Sequence, residues 1–255
     1  MLAQMLRVER LTKRFGGLVA VNNVSFTVAK GSVMAIVGPN GAGKTTTFNL
    51  ITGIDPPDAG DVWFGDTRVT GYAPHRLAAI GMGRTFQNIR LFRHLNALEN
   101  VMIGCTARTR SGVLDALAWT RRDREERRAT LEQAEALLDW VGVGDNRFRM
   151  PGELPYGDQR RVEIARALAL EPKLLILDEP TAGMVALEAR GVIDLIARLK
   201  QAGMTLMLIE HNMNVVMAAS DRIVVINFGE KIAEGTPAQI RADPKVIEAY
   251  LGAEE

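Results

Sequence analysis

The chain has 255 residues, 47% of them apolar, and a net charge of +1. That is enough for one large domain or two small ones, with apolar residues ample for a core, and it is too neutral for nucleic acid as a general partner. The single cysteine, Cys105, excludes a disulfide framework and fits a reducing compartment, where it reads as a small packed residue.

From the start, MLAQMLRVERL lacks the continuous apolar stretch of a signal peptide. No later run reaches the roughly 18 apolar residues of a membrane span, so a membrane role has to pass through a partner protein. Leu6 to Glu9 and Val24 to Val28 read as strands, with Phe15-Gly16-Gly17 as a turn between them. Ser32 to Val37 (SVMAIV) is a short apolar run that predicts a buried strand. Next come Gly38-Pro39-Asn40-Gly41-Ala42-Gly43-Lys44-Thr45-Thr46, which fit the phosphate-binding pattern G-x-x-x-x-G-K-[ST], and then TTTFNLITGI, which predicts a helix. Strand, Gly-rich loop and helix form the context that the pattern requires. Gly41 and Gly43 let the backbone turn its N–H groups inward, and the helix N-terminus adds unpaired N–H groups and partial positive charge. Lys44 supplies a full charge to the β- and γ-phosphates, and the Thr45 hydroxyl is placed to ligate Mg²⁺.

Asp55-Pro56-Pro57-Asp58-Ala59-Gly60 is a turn cluster; Val62-Trp63-Phe64 and Thr67 to Val69 predict a short hairpin, and Pro74 to Ile80 a brief helix. Gly83-Arg84-Thr85-Phe86-Gln87 closes this section. From Asn88 to Ala169 strand signals fade. Ala97 to Gly104, Val113 to Thr120 and Asp123 to Val141 read as helices, the last with Leu131, Ala134, Leu137, Leu138 and Val141 on one face. Arg121 to Arg128 (RRDREERR) mixes both signs and reads as a solvated helix face, with lipid headgroup contact as the alternative. A helix follows the turn residues after Glu153 and runs to Leu170. Beyond it, strands are expected at Leu174 to Leu177, Met204 to Ile209, Ile223 to Ile226 and Lys231 to Ala233. Helices are expected at Val185 to Gln201, Asn212 to Ala219, Pro237 to Ile240 and Pro244 to Leu251. The methionines at 204, 207, 213 and 217 read as core fillers.

Leu174-Leu175-Ile176-Leu177-Asp178-Glu179 is an apolar strand ending in two acids, and ligands of open α/β sheets bind beyond the carboxyl ends of strands. Asp178 is expected to hold Mg²⁺, directly or through water, and Glu179 is the natural general base for an attacking water. Upstream stand Leu154-Pro155-Tyr156-Gly157-Asp158 and a helical VEIARALAL. With these residues the chain resembles the ATP-binding-cassette (ABC) ATPases over nearly its whole length. LPYGD occupies the place of that family's signature, usually L-S-G-G-Q. Gln87 resembles the Q-loop glutamine, His211 after Leu208-Ile209-Glu210 the switch histidine, and Phe15 the aromatic that stacks on adenine. Arg84 to Phe92, Tyr156 to Arg161, Ala182-Gly183-Met184, Gly235-Thr236-Pro237 and Ala249-Tyr250-Leu251-Gly252 are similar to the ATP-binding subunits of bacterial branched-chain amino-acid importers, as is the long helical insertion.

The resemblance implies an α/β P-loop core with a mostly parallel sheet, an N-terminal antiparallel β-subdomain and an inserted α-helical subdomain. Residues 1–87 and 170–235 would form the nucleotide-binding core, 88–169 the insertion, and 236–255 a C-terminal helical extension. It further implies ATP and Mg²⁺ as cofactors, with Thr45, Gln87 and Asp178 at the metal. Lys44, Gln87, Glu179 and His211 would act at the γ-phosphate. In a head-to-tail dimer, each ATP would lie between Phe15 with the Gly38 to Thr46 loop and the other subunit's Pro155, Tyr156, Gly157 and Asp158. The implied partners are transmembrane permeases docking near Gln87 to Phe92, a second ATPase subunit and, indirectly, a periplasmic binding protein, at the cytoplasmic face of the inner membrane. Importers of urea or short amides have closely similar ATPases. ABC ATPases of DNA repair or translation would carry a very long coiled coil or two cassettes, and a P-loop kinase would need an acceptor site and a lid. The family pattern is broken at three places: Pro155 where Ser is common, Val185-Ala186 where Asn-Pro or an Asp is usual, and Asn212 where Asp is usual.

Overall fold

A computed structural model describes residues 3–106 and 121–251, so the helix expected at Val113 to Thr120 lies outside the described residues. The chain forms two compact units. The first comprises Met1–Arg84, Lys173–Ala182 and Ile193–Glu255, and the second Thr85–Pro172 and Gly183–Val192.

The first unit holds two sheets. Strands β1 (Gln4–Phe15), β2 (Leu18–Ala29), β4 (Ala59–Phe64) and β5 (Thr67–Arg68) form an antiparallel sheet in the order β2-β1-β4-β5. Along β1, register shifts break the pairing between Val8 and Leu11, where Arg10 takes a positive φ of 50°, the local kink of a bulge. The second sheet contains β3 (Val33–Val37), β6 (Met82–Arg84), β7 (Leu174–Asp178), β8 (Thr205–Ile209), β9 (Arg222–Asn227) and β10 (Glu230–Gly235) in the order β10-β9-β3-β8-β7-β6. Only β10 runs antiparallel to its neighbour. Every residue of β3, β7 and β8 is buried, as a parallel sheet covered on both faces requires. Strand β6 carries no sequence signal of its own, being three residues long with a central Gly83; pairing with β7 makes it a strand. Helix α1 (Lys44–Ile51) buries Phe48 completely in one cluster with Leu6 and Val24 of the antiparallel sheet and Ile36, Ile176 and Ile209 of the parallel one. Burying such a side chain contributes about 1.5–3 kcal/mol. Pairing sets Ile36 and Asp178 both against Ile209, so the loops after β3, β7 and β8 leave the sheet at one edge. Helices α2 (Pro74–Ala79), α7 (Met213–Ala219), α8 (Pro237–Arg241) and α9 (Pro244–Leu251) complete the unit.

The second unit is helical, built on α3 (Ala97–Thr106), α4 (Arg121–Val141), α5 (Tyr156–Leu168) and the start of α6 (Ala186–Gln201). Two readings of side chains are corrected. On α4, Ala134, Leu138 and Val141 are buried, but Leu131 is exposed and Thr130 takes its place, because the stripe runs i, i+4, i+8 and i+11 from Thr130. Of the four methionines, only Met207, on a central strand, is fully buried; Met204, Met213 and Met217 are half-buried. Cys105 is buried, and Arg128 pairs with Glu132 on the exposed face of α4.

Candidate functional site

The phosphate loop leaves β3 and enters α1 through backbone that side chains resist. Gly38 has φ 154° and Gly43 φ 97°; a Cβ on Gly38 would meet the Ile226 carbonyl oxygen at 1.9 Å, and one on Gly43 the Ala20 oxygen at 2.3 Å. Gly43 caps α1 without any side-chain hydrogen bond to the helix amides, so the N-terminal N–H groups of α1 point into the loop as an anion site. Lys44 is 7% exposed and donates to the carbonyls of Gly38 at 2.7 Å and Pro39 at 2.8 Å. Burial pushes its ammonium below the ordinary lysine range, and the Glu179 carboxylate opposes that shift. The Thr45 hydroxyl lies on the exposed side of α1 and Thr46 is half-buried, whereas Thr47 is buried and its hydroxyl bonds back to the Gly43 oxygen. Asn40 and its neighbours Pro39, Gly41 and Ala42 also wall an open hollow of about 620 Å³ whose far side carries Phe228 and Lys245. The Tyr250 hydroxyl of α9 is buried beside the Gly38 backbone, and burial raises its pKa above the ordinary phenol range.

Asp178 ends β7 and Glu179 follows it. Asp178, 4% exposed, accepts from Arg84 Nη2 at 2.8 Å through Oδ2. The same guanidinium bonds Asn49 and Thr52 of α1, so it ties the ends of β6 and β7 to the helix behind the phosphate loop. Glu179 has a positive φ of 45° and donates its N–H to the Ile209 oxygen at 2.9 Å. This uncommon backbone for a non-glycine residue is over-determined by the strand pairing beside it. Its carboxylate lies 3.6 Å from His211 Nδ1, too long for a formed hydrogen bond. The His211 segment is shaped by Glu210, fully buried, whose carboxylate accepts from the Thr181 N–H and hydroxyl and from the His211 and Asn212 N–H groups. Asn212, one of the departures from the family pattern, N-caps α7 through the Asn214 N–H. Phe15, at the end of β1, is 49% exposed, with the Lys13 ammonium 5.5 Å from its ring centroid.

The second unit carries the other expected residues. Pro155 is the N-cap of α5 rather than its first residue, with φ −51° and ψ 150°, so Tyr156 opens the helix. The Gly157 N–H donates to Glu188 Oε1 at 3.3 Å, and Glu188 Oε2 accepts from Val185 at 3.3 Å. Asp158 accepts from Asn146 Nδ2, also at 3.3 Å. The backbone of Gln87 is gripped by Arg160, whose Nη2 donates to the Gln87 oxygen at 2.7 Å.

Lys44, Asp178, Glu179 and His211 are therefore ordered by one sheet edge in the first unit, and Gln87 and Pro155 to Asp158 by α5 in the second. Residues 21–182 match the family described as ABC transporter, and residues 230–255 that described as branched-chain amino acid ATP-binding cassette transporter. The chain belongs to the ABC transporter ATP-binding family. It is 42% identical to the high-affinity branched-chain amino acid transport ATP-binding protein LivG of Escherichia coli (strain K12), across 97% of this chain and 98% of that one. It is 44% identical to BraF of Pseudomonas aeruginosa, with the same coverage. Among solved structures, the ADP conformation of MJ1267, an ATP-binding cassette of an ABC transporter, matches with TM-score 0.85 and 35% identity over 98% of this chain and 99% of that one. The dimeric post-hydrolysis cassette MJ0796, bound to ADP and Pi, matches with TM-score 0.76 and 26% identity over 91% and 99%. The cassette is thus an α/β nucleotide-binding ATPase with an antiparallel sheet and a helical region, as the sequence predicts, and no helix among its described residues is long and apolar enough to cross a membrane. Sequence reasoning did not assign roles to Arg84, Glu210, Arg160 and Glu163. For the last two a signal existed: charges three residues apart on a helix whose neighbours Val162, Ile164 and Ala165 are all apolar.

Proposed function

We propose that this chain is the ATP-hydrolysing subunit of a branched-chain amino-acid importer, held at the cytoplasmic face of the membrane by its permeases. The observation that carries the reading is the buried Lys44 of a glycine-moulded phosphate loop at the sheet edge where β7 delivers Asp178 and Glu179, in a chain similar from end to end to subunits named for that transport. Lys44 and the amides of α1 bind the phosphates, Glu179 takes the proton of the attacking water, and His211 contacts the γ-phosphate. The Thr45 hydroxyl and the Asp178 carboxylate are the hard oxygen donors that Mg²⁺ prefers. Mg²⁺ keeps most of its waters and leans on substrate phosphates; bound there, it would neutralise charge developing on them. Gln87 completes the metal and γ-phosphate contacts, and Pro155 to Asp158 of a second subunit close the site with the Gly157 N–H and the start of α5.

Phe15 stacks on the adenine. Such stacking contributes about 0.5–1.5 kcal/mol beyond burial, so Phe15→Ala raises the ATP Kd roughly 2- to 13-fold, while Phe15→Tyr stays near wild type. A nucleotide titration giving one affinity for all three proteins places the base elsewhere.

The permease contact is read from Leu91 and Phe92. The Phe92 backbone is pinned by Asn100, with N–H to Oδ1 at 2.8 Å and Nδ2 to the Phe92 oxygen at 3.1 Å, while its ring is 51% exposed. A strain lacking this subunit is expected to lose uptake of leucine, isoleucine and valine at low external concentration. A Leu91→Asp/Phe92→Asp gene is expected not to restore uptake, although its product still binds ATP. A deletion strain that imports these three normally but fails on urea or short amides assigns the cargo to the latter.

A further inference from the structure

The grip of α5 on the Gln87 segment is made by two buried charges. Arg160 is fully buried and the Glu163 side chain is 2% exposed. Arg160 Nη1 donates to the Phe86 oxygen at 2.6 Å and to Glu163 Oε2 at 2.7 Å, and Nη2 donates to the Gln87 oxygen at 2.7 Å. Glu163 Oε1 accepts from the Arg90 N–H at 3.3 Å, and the Arg90 guanidinium lies 4.4 Å from the Phe86 ring centroid. Burial pushes the Glu163 carboxyl up, and the Arg160 guanidinium pulls it back.

A buried ion pair is a weak source of net stability. Desolvating an ion pair costs several kcal/mol per ion, and a well-packed apolar pair of the same volume is often as stable or more so. What the pair offers, and an apolar pair lacks, is direction. The flat guanidinium fork holds two successive carbonyls, and the carboxylate holds an amide three residues further on. The helix that provides the fork begins at Tyr156, directly after Pro155.

We propose that Arg160 and Glu163 are positioning residues that lock the Gln87 segment to the start of α5, so that the γ-phosphate sensor and the LPYGD end of the helix move as one piece. This rests on the reading of Gln87 and Pro155 to Asp158 as nucleotide contacts. Without the lock both segments remain, but their spacing drifts, and a misplacement near 1 Å costs about 10²-fold in rate.

The test uses the full-length protein. Arg160→Met/Glu163→Gln removes both charges of the pair together, so neither is left facing the other's empty place, and Arg166 is the charged neighbour that remains beside position 163. Its ATP Kd is expected to stay near wild type while kcat falls about 10²-fold and amide exchange across residues 86–92 accelerates; the thermal midpoint falls because the Phe86 and Gln87 carbonyls lose their buried donor. Arg160→Lys keeps the charge but not the fork, and is expected to recover only part of the rate. Wild-type kcat and unchanged exchange in the double variant overturn the lock, as does a rate loss that merely follows a fall in ATP affinity. Gln87→Ala separates the parent reading: a rate unaffected by that change shows Gln87 lies outside the site and removes the proposal with it. A rate lost in Gln87→Ala but kept in the double variant overturns the lock alone.

Discussion

Glu179→Gln is expected to slow ATP hydrolysis roughly 10²- to 10⁴-fold, the usual share of a general base, while ATP still binds. The substitution keeps the side-chain volume and makes the same demand on the φ of 45° at this position, so the fold has no reason to change. What disappears is the proton acceptor and the negative charge that acts on Lys44. With that charge gone, burial alone governs the Lys44 ammonium, whose pKa falls further below the ordinary lysine range. The measurement is phosphate release and nucleotide affinity on the same preparation. Wild-type turnover at unchanged affinity would show that water is activated elsewhere.

Arg84→Ala carries the largest expected effect on stability. The Arg84 and Asp178 side chains are 10% and 6% exposed, and removing one partner of a buried ion pair costs about 3–5 kcal/mol. For a chain of this size that lowers the thermal midpoint by roughly 6–20 °C. The loss arises because Asp178 is left without the guanidinium beside it, so adding Asp178→Asn, a neutral side chain of the same size, is expected to restore part of the midpoint without restoring hydrolysis. Thermal unfolding of the single and double variants checks both statements; a single variant as stable as wild type means solvent already compensates Asp178.

The phosphate loop, the strand ending in Asp178 and Glu179, and the α/β core were legible because each is a local pattern: a spacing, an apolar run, a turn residue. Strand β6 was not, since three residues around Gly83 have no pattern of their own and owe their extended form to β7. Arg84 was invisible as a site residue for the same reason, because its partners Asn49, Thr52 and Asp178 are up to 94 positions away. The Leu131 reading failed where a helix stripe could be drawn through either of two adjacent residues, and burial chose Thr130. Pro155 shows a finer limit. Proline suits both the N-cap and the first helical position by its fixed φ, and only ψ, at 150°, decides between them.

The phosphate loop has one further consequence. Its Gly41 has nothing within 4 Å of a hypothetical Cβ, whereas Gly38 and Gly43 are pressed against carbonyls from two different sheets. Two of the motif's three glycines are therefore moulded by distant backbone rather than by nucleotide. Transplanted alone into another strand–helix junction, the nine residues would carry their amides but leave behind the walls at Ala20 and Ile226. An engineer who wants the pocket has to move those two strands with it.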